Sequence, residues 1–439
     1  MSTEASYSEL DSGAVTERVY WKIALRIIPL VMICYFCAYL DRINVGFAKL
    51  QMMNDLHLSE AAYGLGAGLF FLGYFLFEVP SNLLMARIGA KRTLIRIMLL
   101  WGLISGSFAF INSPWQFYVM RVLLGAAEAG FFPGIILYLT YWFPSHNRAR
   151  MTGFFYTGIP LSGLIGAPVS GWIMTVFHGS HGMNGWQWLF ILEAVPTIVM
   201  ALLLPFILVD RPRFAKWLSP AEIQYVEQAL EAEEQRKRAI TPGESKLAHV
   251  FVSGRAWHLI ILAICQTMGL YAISFWLPTL VKEIGFTSLE QIGWYSAIPF
   301  AVGAVALNLV CRSSDKYRER RWHTVLAFMM TATGLVASTF TGHNPVTSLI
   351  ALSLAAAGVY AATTMFWTLP SQFFFGIGAA VAIGMINSFG NLGGFLSPYA
   401  IGLIKDATGA NEYGVYLIAA VSVVGSVLVL MLPKSVVNH

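Results

Sequence analysis

Residues 23–48 read IALRIIPLVMICYFCAYLDRINVGFA, an apolar run interrupted only by Arg26 near its start and by Asp41, Arg42 and Asn44 toward its end. At 1.5 Å per residue, a helix of that length crosses the ~30 Å hydrocarbon core of a bilayer. An ionised side chain inside that core costs roughly 3 kcal/mol unless it is paired or hydrated, so Asp41 and Arg42 are functional candidates by default. One segment thus points to both the fold class and the place to look for function.

The rest of the chain agrees. Its 439 residues are 57% hydrophobic and 12% charged, with mean hydropathy +0.64, whereas soluble domains carry about 25% charged residues. So few charges cannot coat a water-facing surface, which excludes a disordered chain, a secreted disulfide scaffold and an ordinary cytosolic enzyme. The bilayer criterion predicts twelve spans, at roughly 23–48, 61–85, 93–111, 116–142, 149–176, 187–209, 257–281, 291–311, 322–341, 346–369, 376–404 and 413–433. The expected fold is an all-α integral membrane protein of twelve transmembrane helices in two pseudo-symmetric six-helix bundles. Residues 1–20 are polar and lack the features of a signal peptide, so they read as a retained cytosolic tail.

Twenty-three of the 28 Lys and Arg fall in segments on one side of this topology. By the positive-inside rule that side is cytosolic, with both termini, including residues 434–439. The loops account for the net charge of +5 without nucleic acid as a partner. The longest polar stretch, 210–255, separates an N-terminal bundle (21–209) from a C-terminal one (256–433). Within it, Ser219 followed by Glu222 has capping-box spacing and marks the start of a surface helix. The halves also share an offset. Gly163 and Pro168 recur as Gly393 and Pro398, 230 residues on, and the basic loop RIGAKR at 87–92 has a counterpart in KYRERR at 316–321, about 229 on. Duplicated six-helix halves are a transporter architecture, with substrate bound near mid-membrane between them.

Beyond Arg26, Arg96 and Arg150 at the cytosolic ends of their spans, the charged residues inside the predicted spans are Asp41, Arg42, Glu78, Arg121, Glu128 and Glu193, all in the first half. Arg121 and Glu128, seven residues apart, share a face of one helix; Asp41 and Arg42 point about 100° apart. The reading is two Arg–carboxylate pairs between spans one and four. Protonating Asp41 or Glu128 frees a guanidinium, which binds carboxylate bidentately, so proton uptake and anion binding favour each other. The alternative is that the pairs only lock two helices together. Glu78 and Glu193 are read as structural. The second half supplies neutral donors and aromatic walls, with Gln266, Tyr271, Trp276, Trp367, Asn387 and Asn391 as candidates, and the Gly-rich stretch 384–394 suggests a bending helix. No metal or cofactor is expected beyond the coupling proton: His178 and His181 lack an acidic third ligand, and no nucleotide or nucleophile motif is present. Cys34 and Cys37 have a redox spacing but lie on an apolar helix, and read as packing.

Residues 39–48 (YLDRINVGFA), 121–133 (RVLLGAAEAGFFP) and 387–395 (NSFGNLGGF) resemble the major facilitator superfamily and, within it, the anion:cation symporters that take up organic acids with protons. That resemblance implies proton coupling at Asp41 and Glu128, and a substrate carboxylate held by Arg42 and Arg121. It implies a cavity lined by Tyr74, Trp367 and Asn387, to which Tyr39, Tyr271, Gln266 and Asn391 are added as neighbours. Conformational gating falls to Arg87, Gly89 and Arg92 in the first basic loop and to Asp315 in the second. The superfamily's usual Asp-Arg-x-Gly reads Ala86-Arg87-Ile88-Gly89 here, so the first half lacks an acidic gate partner. Gly158-Ile159-Pro160 stands where sugar-acid members place a Gln, which weighs against a polyol-rich substrate.

The expected function is proton-driven import of a small organic carboxylate, such as tartrate, a sugar acid or an aromatic acid, by alternating access. The expected setting is the inner membrane of a bacterium, with lipid, substrate and protons as partners and a functional monomer. Competing readings are an antiporter that exports drugs or exchanges anions, and a non-transporting sensor of an acid.

Overall fold

In the computed structural model the described residues are 13–144, 151, 154–240, 253–341, 344–374 and 376–438. The first half contains α1 (Gly13–Asp55), α2 (Glu60–Ile88), α3 (Ala90–Ser107), α4 (Pro114–Glu128), α5 (Phe131–Thr140), α6 (Gly158–Val176) and α7 (Gly185–Ile207). After the linker helix α8 (Pro220–Ile240), the second half contains α9 (Gly254–Glu283), α10 (Leu289–Tyr317), α11 (Arg321–Thr339), α12 (Pro345–Thr368), α13 (Gly376–Gly390), α14 (Leu392–Thr408) and α15 (Glu412–Met431). No strand occurs among the described residues.

Ten of the twelve predicted spans are helices long and apolar enough to cross a bilayer among the described residues. The ninth falls short because α11 opens on the polar turn Arg321, Trp322, His323 and Thr324. The eleventh is broken beside Asn391 into α13 and α14, each too short to span alone. A similar break divides the fourth span. α4 ends at Glu128, Gly130 takes a left-handed φ of 88°, and α5 begins at Phe131. The start predicted for the fifth span, near 149, lies outside the described residues; its helix is described from Phe154. The duplication shows in the backbone, since Gly89 (φ 88°) and Arg318 (φ 49°), 229 residues apart, are the positive-φ residues that end α2 before α3 and α10 before α11.

The halves meet along two seams, α2 against α14 and α6 against α10, with α1 packed on α9 between them. Glycine makes the seams close. A β-carbon at Gly64 would lie 2.2 Å from the Pro398 carbonyl oxygen, and one at Gly293 would lie 2.5 Å from that of Ala167. Backbones approach this closely in membrane bundles only where the side chain is absent.

Beside the seams, at the end of the bundle away from the linker, charged groups tie the halves together. Lys405 of α14 reaches Glu60 of α2 at 2.7 Å and Glu283 of α9 at 3.3 Å, while Lys49 of α1 pairs with Glu60 at 2.6 Å and lies over the Trp276 ring at 4.2 Å. Asp406 accepts from the backbone N–H groups of Glu60 and Ala61 (3.1 and 2.9 Å), placing a carboxylate from the second half on the positive N-terminus of α2.

At the opposite end, Ser219 and Glu222 form the expected capping box: the Ser219 N–H donates to Glu222 Oε2 at 2.7 Å and the Glu222 N–H to Ser219 Oγ at 3.2 Å. Glu222 also pairs with Lys22 at 2.8 Å, docking α8 on the start of α1. Partial burial works to raise its carboxyl, but the bonds from Lys22 and Ser219 outweigh that and hold it below the usual range.

Replacing Gly293 by Leu wedges the α6–α10 seam. Cysteine probes near Glu60 and Asn411 are expected to label faster from the far side, with transport reduced roughly tenfold or more, equivalent to ~1.4 kcal/mol of conformational bias. Unchanged labelling would remove the seam from control of closure.

Candidate functional site

Between the halves lies a constricted cavity of about 70 Å³, well under the 300–1,000 Å³ usual for small-molecule sites, so its walls must part to take a ligand. Its walls differ in chemistry. The first half contributes Tyr35, Tyr39, Phe70, Tyr74, Phe131, Phe132 and Tyr156 around one cation, Arg42; the second contributes Gln266, Thr267, Thr363, Asn387 and Asn391, with Tyr271 and Trp367. A ligand here meets aromatic faces and a guanidinium on one side, and amides and hydroxyls on the other. The neutral polar wall expected of the second half is present, except that Trp276 belongs to the far-end cluster, where its indole donates to Asn411 at 3.4 Å.

Arg42 joins the halves. One guanidinium nitrogen donates to the Tyr271 hydroxyl of α9 at 2.7 Å, the other is ion-paired with Glu128 at the end of α4, and Nε has no partner. The charge lies among the rings of Tyr39 (4.9 Å), Phe70 (5.1 Å) and Tyr74 (5.8 Å), where π-faces replace part of its hydration. The break after α4 sets this geometry, because it places Glu128 at a helix end beside α1.

The second expected pair does not form. Asp41 points into the first half, away from the cavity, and accepts from Ser105 at 2.7 Å, Trp101 at 2.9 Å and Thr197 at 2.7 Å. Arg121 is fully buried and donates to the backbone carbonyls of Gly66 (3.3 Å) and Ala67 (2.9 Å) of α2, so it has no carboxylate partner and is absent from the cavity wall. The physical reason is the 100° step: with Arg42 turned to the cavity, Asp41 must face α3 and α7. Arg121 shares the Phe70 ring with Arg42, at 5.0 and 5.1 Å, so Phe70 is the side chain whose rotation alters the surroundings of both guanidinium groups.

Of the other expected ligands, Gln266 donates to Thr363 at 2.6 Å, and Tyr39 lies 3.4 Å from the Tyr271 hydroxyl. Asn387 is committed elsewhere. It donates to Glu78 at 2.6 Å, and Ser388 donates to the other oxygen of Glu78 at 2.6 Å. Glu78, read from sequence as structural, bridges α2 and α13 and so ties the two halves together. A carboxylate inside a span to which no cation had been assigned was the available signal. The gating set is not assembled into a contact among the described residues: Arg87 is exposed, Gly89 supplies the α2–α3 turn, Arg92 lies on the first turn of α3, and the Asp315 carbonyl caps α10. The contacts that close the bundle are those around Glu60 and Lys405, which the basic-loop motif does not touch. His178 accepts from the Gly185 N–H at 3.3 Å, and no metal-binding cluster occurs among the described residues.

The comparisons with known proteins agree with this architecture. Residues 31–398 match the Major Facilitator Superfamily. A protein of Agrobacterium vitis named as a candidate tartrate transporter is 44% identical over 423 residues, covering 95% of each chain. The quinolone resistance transporter of Acinetobacter baumannii is 39% identical over 409 residues, covering 92% of this chain and 93% of its own. Among solved structures, the inward-open xylose transporter XylE of Escherichia coli superposes with a TM-score of 0.75 at 14% identity, over 94% of this chain and 97% of that one; this likeness is one of fold. With two halves closing on an Arg-bearing cavity and a match through most of its length, the chain belongs to the Major Facilitator Superfamily, whose members are multi-pass membrane transporters and not enzymes.

Proposed function

We propose that the chain is a proton-coupled symporter that imports a small organic carboxylate across a bacterial inner membrane, with both termini cytosolic. The observation that carries the reading is the double engagement of Arg42, by Glu128 in its own half and by Tyr271 across the cavity. With Glu128 ionised, an incoming carboxylate competes with an internal one. Protonation removes that competitor and leaves a guanidinium whose planar fork matches a carboxylate. Proton and substrate then raise each other's affinity, a reciprocal coupling.

The amide and hydroxyl wall of the second half suits a hydroxylated acid, in keeping with the relative named for tartrate. The aromatic wall of the first half suits a ring-bearing acid. Arg121 serves in this reading as a reserve cation behind Phe70, and Asp41 as a carboxyl remote from the substrate. One proton with a monoanion is electroneutral and yields about 1.4 kcal/mol per pH unit. A second proton adds roughly 2.3 kcal/mol per 100 mV.

A second reading has its own observation. The relative named for quinolone resistance, with the aromatic half of the cavity, favours export of an aromatic drug in exchange for protons. The same coupling pair serves both, and the direction of accumulation separates them.

Uptake into proteoliposomes of tartrate, a sugar acid, phthalate, hydroxyphenylacetate and a quinolone, under an imposed pH gradient with and without a potential, tests both readings. Accumulation of an acid on the alkaline side that collapses with an uncoupler is expected; accumulation of the quinolone against the proton flow would favour export. Glu128→Gln is expected to lose gradient-driven accumulation while retaining substrate counterflow, and unchanged accumulation would remove Glu128 from coupling. Arg42→Lys keeps the charge but cannot present the same fork to a carboxylate. Its affinity for the acid is expected to fall by roughly 10- to 100-fold, about 1.5–3 kcal/mol for a charge-assisted bond; wild-type affinity by calorimetry would overturn the assignment.

A further inference from the structure

A second polar site lies inside the first half, between α1, α6 and α7. Glu193 of α7 is buried, and its Oε1 accepts from Ser170 of α6 at 2.7 Å, while its Oε2 has no partner. Beside it on α1 is Asn44, wholly buried, whose amide faces the Glu193 carboxyl and whose oxygen and nitrogen have no other hydrogen-bond partner. Asp41 is one turn from Asn44 on α1 and accepts from Thr197, one turn from Glu193 on α7. Three donors already satisfy Asp41, so it has no bare oxygen to hold a further partner. Among the described residues no cation is paired with either carboxyl group.

These observations constrain the charge. Two carboxylates in one low-dielectric pocket without a cation repel each other, and one of them retains a proton. The groups facing the pocket from α1, α3, α6 and α7 are the hydroxyls of Ser105, Ser170 and Thr197, the Trp101 indole, the Asn44 amide, and two titratable neighbours, Asp41 and the Cys37 thiol. None contributes a positive charge. Glu193 is the group with a bare oxygen, and the Asn44 carbonyl is the unused acceptor beside it.

We propose that Glu193 and Asn44, with Asp41, form a second exchangeable proton site. The proton resides on Glu193 Oε2 and is donated to Asn44 Oδ1; loading forms that O–H bond and unloading breaks it, the proton leaving to water when the pocket opens during the cycle. The site is separate from the Arg42–Glu128 pair and binds no substrate. Its role in coupling rests on the symport reading above, but the existence of the proton does not.

Infrared difference spectroscopy of the full-length protein in lipid nanodiscs tests the proton directly, in a Glu128→Gln background so that Glu128 cannot contribute. The expected result is a protonated-carboxyl C=O band at neutral pH that disappears reversibly at alkaline pH, is absent after Glu193→Gln, and moves to higher frequency after Asn44→Leu as its hydrogen bond is lost. A spectrum without such a band, or one unaltered by both substitutions, overturns the site. The proton-to-substrate ratio, from reversal potentials in proteoliposomes, tests exchange in the otherwise native protein. Glu193→Gln is expected to lower it by one, with counterflow confirming a folded carrier. An unchanged ratio with the band present would make the proton a fixed structural one and overturn the exchange. Loss of coupling to any acid in the native protein, with the band intact, would count against the symport reading and not against the proton site.

Discussion

A buried guanidinium needs compensating partners in a low-dielectric interior, and while Arg121 finds them in backbone carbonyls, the arrangement around Arg42 is built on a carboxylate. It stands where the halves meet and draws Glu128 from α4 and Tyr271 from α9 toward one point, with three aromatic rings around it. The break at Gly130 is part of the same solution, since a continuous fourth helix would not end at Glu128. Because the balancing charge is a titratable carboxylate, the balance depends on protons. On the proposed function, the substrate's carboxylate is the replacement, and binding and protonation become one event with two ligands.

Closure of the far end adds the geometric requirement. The Gly64 and Gly293 contacts bring backbones together, and the Lys49, Glu60, Lys405, Glu283 cluster fastens them with charges at the far end of the bundle, where Lys49 is buried and opening trades its ion pair for hydration. A lock of this kind can open and re-form, whereas a large buried apolar interface could not. Glu78 with Asn387 and Ser388 links α2 to α13 from the cavity side, so α2 is held by the second half both at its far-end start and beside the cavity.

The fold was legible because a bilayer imposes one length and one composition on every crossing helix. Residues 23–48 alone display that rule, and the 229-residue offset reappears as positive-φ residues, Gly89 and Arg318, at corresponding helix ends. Arg42 and Glu128 were also legible, since a charge inside a span demands an explanation, but much of the cavity wall was not: nothing in the sequence separates the lining rings Tyr35, Phe70, Phe131, Phe132 and Tyr156 from packed ones. What sequence did not reveal was pairing. Asp41 and Arg42 are neighbours in the chain yet serve different compartments, and Arg121 satisfies itself on the carbonyls of Gly66 and Ala67. Helical periodicity fixes the angle between side chains, but which helix stands at each angle is decided by tertiary packing. The far-end cluster was missed for a related reason: its members are 345 residues apart between Glu60 and Lys405, and each is unremarked alone near a helix end.

The most direct test of the central claim is the number of protons taken up when the purified protein binds its acid, read with a pH indicator in weakly buffered solution. If a carboxyl group releases Arg42 to the substrate, binding near neutral pH takes up protons, affinity rises as pH falls, and both effects vanish in Glu128→Gln. Proton-neutral binding with pH-independent affinity would contradict the account, because the Arg42–Glu128 pair would then be a fixed strut.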